Sequence, residues 1–199
     1  MHNVTVAFAA LLVMLLSYFF GCFNGSFMVS HFIIRDDVRK HGSGNAGLTN
    51  FYRTYGAKYA LLVIACDMGK TVAACLLGSF FFRCLGWDGT LGTLLAGLGC
   101  ELGHIFPVFY GFRGGKGILS GGTLVLLLNW RVAAVAWALF LLLWLTTRYV
   151  SLASITATCS APITVYFVYG HNWLYTGLCL AVAALVVWCH RENIQRLLH

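Results

Sequence analysis

The sequence predicts an all-α integral membrane protein of seven transmembrane helices, with the N-terminus periplasmic and the C-terminus cytoplasmic. Three observations carry that prediction. Of the 199 residues 60% are hydrophobic and only 10% are charged, with a mean hydropathy of +0.81, which excludes ordinary cytosolic globules and disordered chains. The apolar residues fall into runs joined by short polar connections, room for about seven spans of roughly 20 residues. Those runs lack the period-two alternation of a barrel, and open sheets cannot face lipid, so helices are left. Residues 1–199 read as one compact polytopic domain.

The first span runs from Val4 to Phe27 behind Met1-His2-Asn3. With no basic n-region and no A-x-A cleavage site, it is expected to be a retained span and not a removable signal. A polar segment of about thirty residues follows, and then spans from Tyr59 to Phe82 and from Leu91 to Val108. The fourth, Ile118 to Leu128, is short and starts from a glycine-rich stretch. Turns at Asn129-Trp130-Arg131, Arg148 to Ser151 and Gly170-His171-Asn172 separate the spans Val132 to Thr147, Leu152 to Tyr169 and Trp173 to Trp188. A basic tail follows. Cys22, Cys66, Cys75, Cys84, Cys100, Cys159, Cys179 and Cys189 are scattered without CxxC spacing and read as small packing residues.

Alternating the sides puts Arg35, Arg39, Lys40, Arg53, Lys58, Arg113, Lys116, Arg148, Arg191 and Arg196 on one face. Only Arg83 and Arg131 lie opposite, and Lys70 falls within a span. The excess assigns the first face to the cytoplasm. The net charge of +7 is thereby explained by cytoplasmic loops and anionic substrates or lipids, and not by nucleic acid.

The chemistry-bearing residues collect on that face. Gly114-Gly115-Lys116-Gly117 stands where the fourth helix starts. Glycines let successive N–H groups turn toward one anion, and a helix N-terminus adds a favourable dipole. Lys116 and Arg113 supply positive charge. The G-x-x-x-x-G-K-[ST] spacing is absent, so an ATPase is unsupported. In the first loop Ser43, Asn45, Thr49 and Asn50 crowd around Gly42, Gly44 and Gly47, with Arg53 as a forked donor. Asp67/Lys70 and Glu101/His104 are i,i+3 pairs within spans. Either pair can lock the bundle. His104 can instead orient or deprotonate an alcohol, with Glu101 holding the ring. Ser151 and Ser154 stand at the Arg148 bridge, as site hydroxyls or as helix caps. His190, Asn193 and Arg196 would share one face of a continuing helix. His2, His31, His41, His171 and His199 are unclustered, and no metal site is expected.

Three of these segments carry a family resemblance. Gly42-Ser43-Gly44-Asn45-Ala46-Gly47-Leu48-Thr49-Asn50 with Arg53 and Gly56, Gly103-His104-Ile105-Phe106-Pro107 through Arg113-Gly114-Gly115-Lys116-Gly117, and His190 through Leu197 resemble the bacterial acyl-phosphate-dependent glycerol-3-phosphate acyltransferases. The resemblance covers essentially the whole chain. It implies a multi-pass enzyme of the bacterial cytoplasmic (inner) membrane with its site at the cytoplasmic face. Acyl phosphate would acylate the C1 hydroxyl of glycerol 3-phosphate, giving 1-acyl-glycerol 3-phosphate (lysophosphatidic acid) and phosphate. No acyl-CoA, metal or other cofactor is implied, and no obligatory protein partner beyond membrane lipid.

By position in the motifs, Arg53, Lys116, Ser151 and His190 would contact glycerol 3-phosphate. Ser43, Gly44 and the Gly114/Gly115 backbone would serve the donor and reaction centre, and Asn193 the tail of the pocket. Ser43, Asn45, His104 and Lys116 form the expected catalytic set. Gly44, Thr49, Asn50, Arg53, Arg113, Gly114, Gly115, Gly117, Ser151, His190 and Asn193 form the binding set. The chain departs from the family pattern at Ala46, where proline is usual, and at Leu48 and Leu119-Ser120. The rival reading is a transporter of a small phosphorylated anion, which would need polar residues reaching the bilayer midplane from both halves.

Overall fold

A computed structural model describes residues 2–198, with side chains from Val4 onward. Among them are ten α-helices and no strand. They form two compact units that divide after Ser120.

The first unit holds α1 (His2–Cys22), α2 (Gly25–Met28), a π-helical turn (Val29–Ile34), a 3-10 turn (Val38–Lys40), α3 (Leu48–Tyr55), α4 (Ala57–Cys84), α5 (Gly89–Ile105) and a 3-10 turn (Val108–Tyr110). Its centre is α5, packed against both α1 and α4. The approach is close because the contact points are glycines. A Cβ on Gly99 or Gly103 would strike the α1 carbonyls of Met14 and Tyr18, and one on Gly21 would strike the Cys100 carbonyl. On the other side a Cβ on Gly78 would stand 2.7 Å from the Gly92 carbonyl oxygen. Gly99 and Gly103 are four residues apart, the small-xxx-small spacing that lets two membrane helices touch backbone to backbone.

The first apolar stretch is broken. After Cys22 the chain leaves the helix, and Asn24 restarts it by accepting a hydrogen bond from Phe27 N at 2.9 Å. The break strands backbone groups in the bundle, and α4 satisfies them. Lys70 Nζ donates to the carbonyls of Gly21 and Phe23, both at 3.1 Å, and Gly25 N donates to Asp67 Oδ1 at 3.0 Å. Lys70 and Asp67 also pair at 2.8 Å. The i,i+3 pair therefore locks a helix break as well as the bundle.

The second unit begins at Gly121 within α6 (Ile118–Leu128) and contains α7 (Trp130–Thr147), α8 (Val150–Val168), α9 (Trp173–Cys189) and α10 (Arg191–Leu198). Here α8 packs on both α7 and α9. Small residues, among them Ala133, Ala136, Ala153, Ala161 and Ala183, are buried on these helices. Asn129 and Asn172 cap α7 and α9 through their side-chain oxygens, and Arg148 ends α7 with φ 62°.

Five segments are long and apolar enough to cross a membrane: Val4–Ile34, Ala57–Cys84, Gly89–Tyr110, Trp130–Thr147 and Val150–Val168. The pair α9 and α10 makes a sixth if counted together, but it bends by 59°. The basic tail is therefore a separate helix and not a continuation. The expected fourth span matches α6 residue for residue, yet its 11 residues give only about 16 Å of rise, against roughly 30 Å of hydrocarbon. Within the polar segment after the first span lies α3. Four of the eight cysteines, Cys22, Cys75, Cys100 and Cys179, are buried as expected of packing residues, whereas Cys66, Cys84 and Cys159 face outward.

Replacing Gly103 by valine forces a branched side chain into the Tyr18 carbonyl and should cost about 1–3 kcal/mol, read as a lower melting temperature in detergent. Gly69→Ala, at a helical position with nothing within 4 Å of the new methyl, should leave melting unchanged or raise it slightly.

Candidate functional site

Two of the predicted motif loops meet in the first unit. Ala46 N donates to the Gly114 carbonyl at 3.3 Å, a bond that proline at this position would lack. Asn24 Nδ2 donates to the Ala46 carbonyl at 2.9 Å, tying the same loop to the helix break. Arg39 reaches across to the Tyr110 carbonyl at 2.8 Å while paired with Asp37 at 2.9 Å, and its guanidinium lies over the Phe27 ring.

The first loop is stapled from within. Asn50 Oδ1 accepts from Ser43 N at 3.0 Å, and its Nδ2 donates to the carbonyls of Val38, His41 and Asn45 at 3.1–3.2 Å. Asn50 is buried, so in this structure its amide shapes the loop and does not point outward. Gly42, at φ 54°, lies against Asn50 Oδ1, where a side chain would collide. Ser43, Gly44, Thr49 and Arg53 are exposed and Asn45 is half-buried. Beside them Asp36 accepts from the Tyr55 hydroxyl at 2.9 Å and pairs with His41 at 2.8 Å. The Asp37 amide, and then the Tyr55 hydroxyl, hold Asp36 below the usual carboxylate range. Burial, and then Asp36, push the Tyr55 hydroxyl up to about 12.

The glycine loop folds back on the C-terminus of α5. Gly114 N donates to the Ile105 carbonyl and Gly115 N to the His104 carbonyl, both at 3.1 Å. These two amides, expected to face an anion, are occupied within the loop. The glycines serve a different need: a Cβ at Gly114 would meet the His104 carbonyl, and one at Gly115 would meet His104 Nε2. Arg113 is exposed and Lys116 half-buried, and Gly117 takes φ 80° just before α6.

His104 is 3% exposed. Its Nδ1 lies 2.8 Å from Lys70 Nζ and 3.6 Å from Asp67 Oδ1. The ring is therefore held by the α4 pair and not by Glu101, as its i,i+3 spacing suggested. Glu101 is 1% exposed, has no hydrogen-bond partner at either oxygen among the described residues, and places Oε2 where a Cβ on Gly117 would stand.

In the second unit Ser151 is half-buried and Ser154 is 2% exposed. His190 is also buried and ends α9, with Nδ1 2.8 Å from the Val186 carbonyl. A carbonyl only accepts, so that nitrogen carries the proton. Asn193 is half-buried on α10. His199 lies outside the described residues, and no side chain is described for His2. Sequence reasoning missed Asn24 and the contact of Lys70 with His104. The Phe23-Asn24-Gly25-Ser26 interruption of an apolar run, and the presence of a lysine inside a span, were the available signals.

The first unit is thus a set of apolar helices that carries two interlocked, glycine-rich polar loops. The glycerol-3-phosphate acyltransferase family model matches residues 11–199. The glycerol-3-phosphate acyltransferase of Syntrophomonas wolfei is 40% identical over 189 residues, covering 95% of this chain and 92% of that protein. That of Finegoldia magna is 38% identical over 183 residues, covering 92% and 89%. The crystal structure of PlsY (YgiH), an integral membrane glycerol 3-phosphate acyltransferase, in its glycerol 3-phosphate form superposes with a TM-score of 0.83 at 37% identity, covering 95% of this chain and 92% of that one. Its lysophosphatidic acid form gives 0.81 at 35% identity, with 95% and 91% covered. The chain belongs to the glycerol-3-phosphate acyltransferase family and is a multi-pass membrane protein.

Among the described residues the buried Glu101 carboxyl has no partner, and burying such a group costs free energy. Glu101→Leu should raise the unfolding midpoint, by about 1–3 kcal/mol of stability; a lower midpoint would mean that the carboxyl has a structural partner.

Proposed function

We propose that the chain transfers the acyl group of acyl phosphate to the C1 hydroxyl of glycerol 3-phosphate, releasing 1-acyl-glycerol 3-phosphate and phosphate. The observation that carries this reading is the junction of the two motif loops through Ala46 and Gly114, together with the glycerol 3-phosphate and lysophosphatidic acid forms of a 35–37% identical relative. The hydroxyl oxygen attacks the acyl carbonyl, the carbonyl-to-phosphate C–O bond breaks, and the hydroxyl proton leaves on the phosphate. A mixed anhydride has a good leaving group, so no covalent enzyme intermediate is needed. The protein supplies orientation and charge.

Within the first unit we assign Arg53, Arg113 and Lys116 to phosphate oxygens, and exposed Ser43, Thr49 and the Gly44 backbone, with Asn45, to the donor. The inward turn of the Gly114 and Gly115 amides shifts the backbone contribution toward Gly117 and the start of α6, where the helix dipole favours an anion. Asn50, Gly114 and Gly115 then act by shaping the loops. Ser151, His190 and Asn193 keep the glycerol-3-phosphate and pocket roles that the family resemblance gives them. We further propose one domain over residues 1–199 that crosses the bacterial inner membrane seven times, with α6 as the short crossing. Its N-terminus is outside, and the loops holding ten of the thirteen Lys and Arg residues face the cytoplasm.

Purified protein in detergent, given acyl phosphate and glycerol 3-phosphate, should release phosphate and form lysophosphatidic acid, and acyl-CoA should not replace the donor. Equal turnover with acyl-CoA would reject the donor assignment. Lys116→Ala should lower kcat/KM by about 100-fold or more while the protein still inserts, and near-normal turnover would remove the phosphate-clamp role.

A further inference from the structure

Lys70 carries a burden beyond the helix break. An ammonium has three hydrogens, and Lys70 Nζ has four neighbours within 3.1 Å: Asp67 Oδ1, the carbonyls of Gly21 and Phe23, and His104 Nδ1. Three of those four are oxygens that can only accept. Were His104 to carry its proton on Nδ1, two donors would face each other at 2.8 Å. Asp67 Oδ1, at 3.6 Å from that nitrogen, is too far to take the proton instead. Nδ1 must therefore be bare, sharing one ammonium hydrogen with a neighbouring oxygen, which leaves the single proton of a neutral ring on Nε2.

That second nitrogen faces the junction of the two motif loops. The β position of Gly115 is approached by His104 Nε2 and, at 2.9 Å, by the Ala46 carbonyl oxygen. The ring is thus bound on the α4 side and directs its N–H edge toward the glycine loop. His190 differs, carrying a proton on Nδ1.

From this geometry we infer that Lys70, braced by Asp67, is a positioning residue that fixes His104 as the Nε2–H tautomer, making the ring a hydrogen-bond donor at the loop junction and not a proton acceptor. The inference rests on the acyl-transfer reading for its consequence: a fixed neutral donor suits the oxygen that gains charge as the acyl carbonyl is attacked. A base is not required of His104, because the hydroxyl proton departs with phosphate.

The test is two-bond nitrogen–proton NMR of protein labelled with 15N histidine and lysine, with His104→Gln used to identify the resonance. The expected spectrum has a bare, hydrogen-bonded Nδ1, a protonated Nε2 and a coupling between Lys70 Nζ and His104 Nδ1 across their hydrogen bond. Lys70→Met should release the ring to a tautomer mixture. A wild-type ring protonated on Nδ1, no coupling to Lys70, or a Lys70→Met ring still fixed as Nε2–H overturns the inference. The wild-type spectrum decides even if Lys70→Met fails to fold.

Kinetics test the donor role. His104→Ala should lose about 100-fold in kcat. His104→Gln, which presents an N–H near the same place, should recover about tenfold of that loss. Equal losses in the two variants would reject the donor role. Wild-type protein without turnover on acyl phosphate and glycerol 3-phosphate would instead reject the acyl-transfer reading, while the spectrum still reports the tautomer.

Discussion

A helix interrupted inside a membrane bundle must find partners for its freed backbone groups, because lipid offers none and each orphan costs several kcal/mol. The break after Cys22 frees the carbonyls of Gly21 and Phe23 and the amide of Gly25. An ammonium and a carboxylate one helical turn apart on α4 meet both signs of that need at once. Asn24 completes the repair, accepting from Phe27 N and donating to Ala46. The charged pair is therefore retained in the bundle because the backbone around it is not helical. Removing either partner would leave the other charge buried alone, a loss of about 3–5 kcal/mol in comparable sites.

The same repair reaches the site. Lys70 holds His104, His104 backs Gly115, and Asn24 fixes Ala46, whose N–H meets Gly114. The scaffold and the polar loops share side chains instead of lying in separate layers. The tight fold of the glycine loop onto the end of α5 follows from this, since only glycine fits against the His104 ring and carbonyl. The Gly114 and Gly115 amides are spent on that tight fold.

Much of this was legible in the sequence. Long apolar runs gave the helices, and α6 was read to the residue because glycines bound it on one side and Asn129 on the other. The polar loops announced themselves by composition. What escaped were properties of tertiary contact. The spacing of Asp67 and Lys70 indicated a pair, but not that the pair clasps a break forty-odd residues earlier. Glu101 looked like the partner of His104 because three residues separate them, yet the ring turns toward α4 while the carboxyl turns toward Gly117. Glycines suggested open amides and proved to be sites of close packing. Local spacing defines which residues share a helix face, whereas the neighbouring helix decides what that face meets.

The make-up of α5 has a consequence for biogenesis. Within 17 residues it carries five glycines, a glutamate and a histidine, a composition that leaves it the least apolar of the five spanning segments. Nearly all of its length is shielded by α1 and α4, so its favourable environment exists only after those two helices have left the translocon. The middle helix of this unit should accordingly be the late arrival, admitted by neighbours made first, and a ribosome-stalled intermediate ending within α5 is where that dependence would become visible.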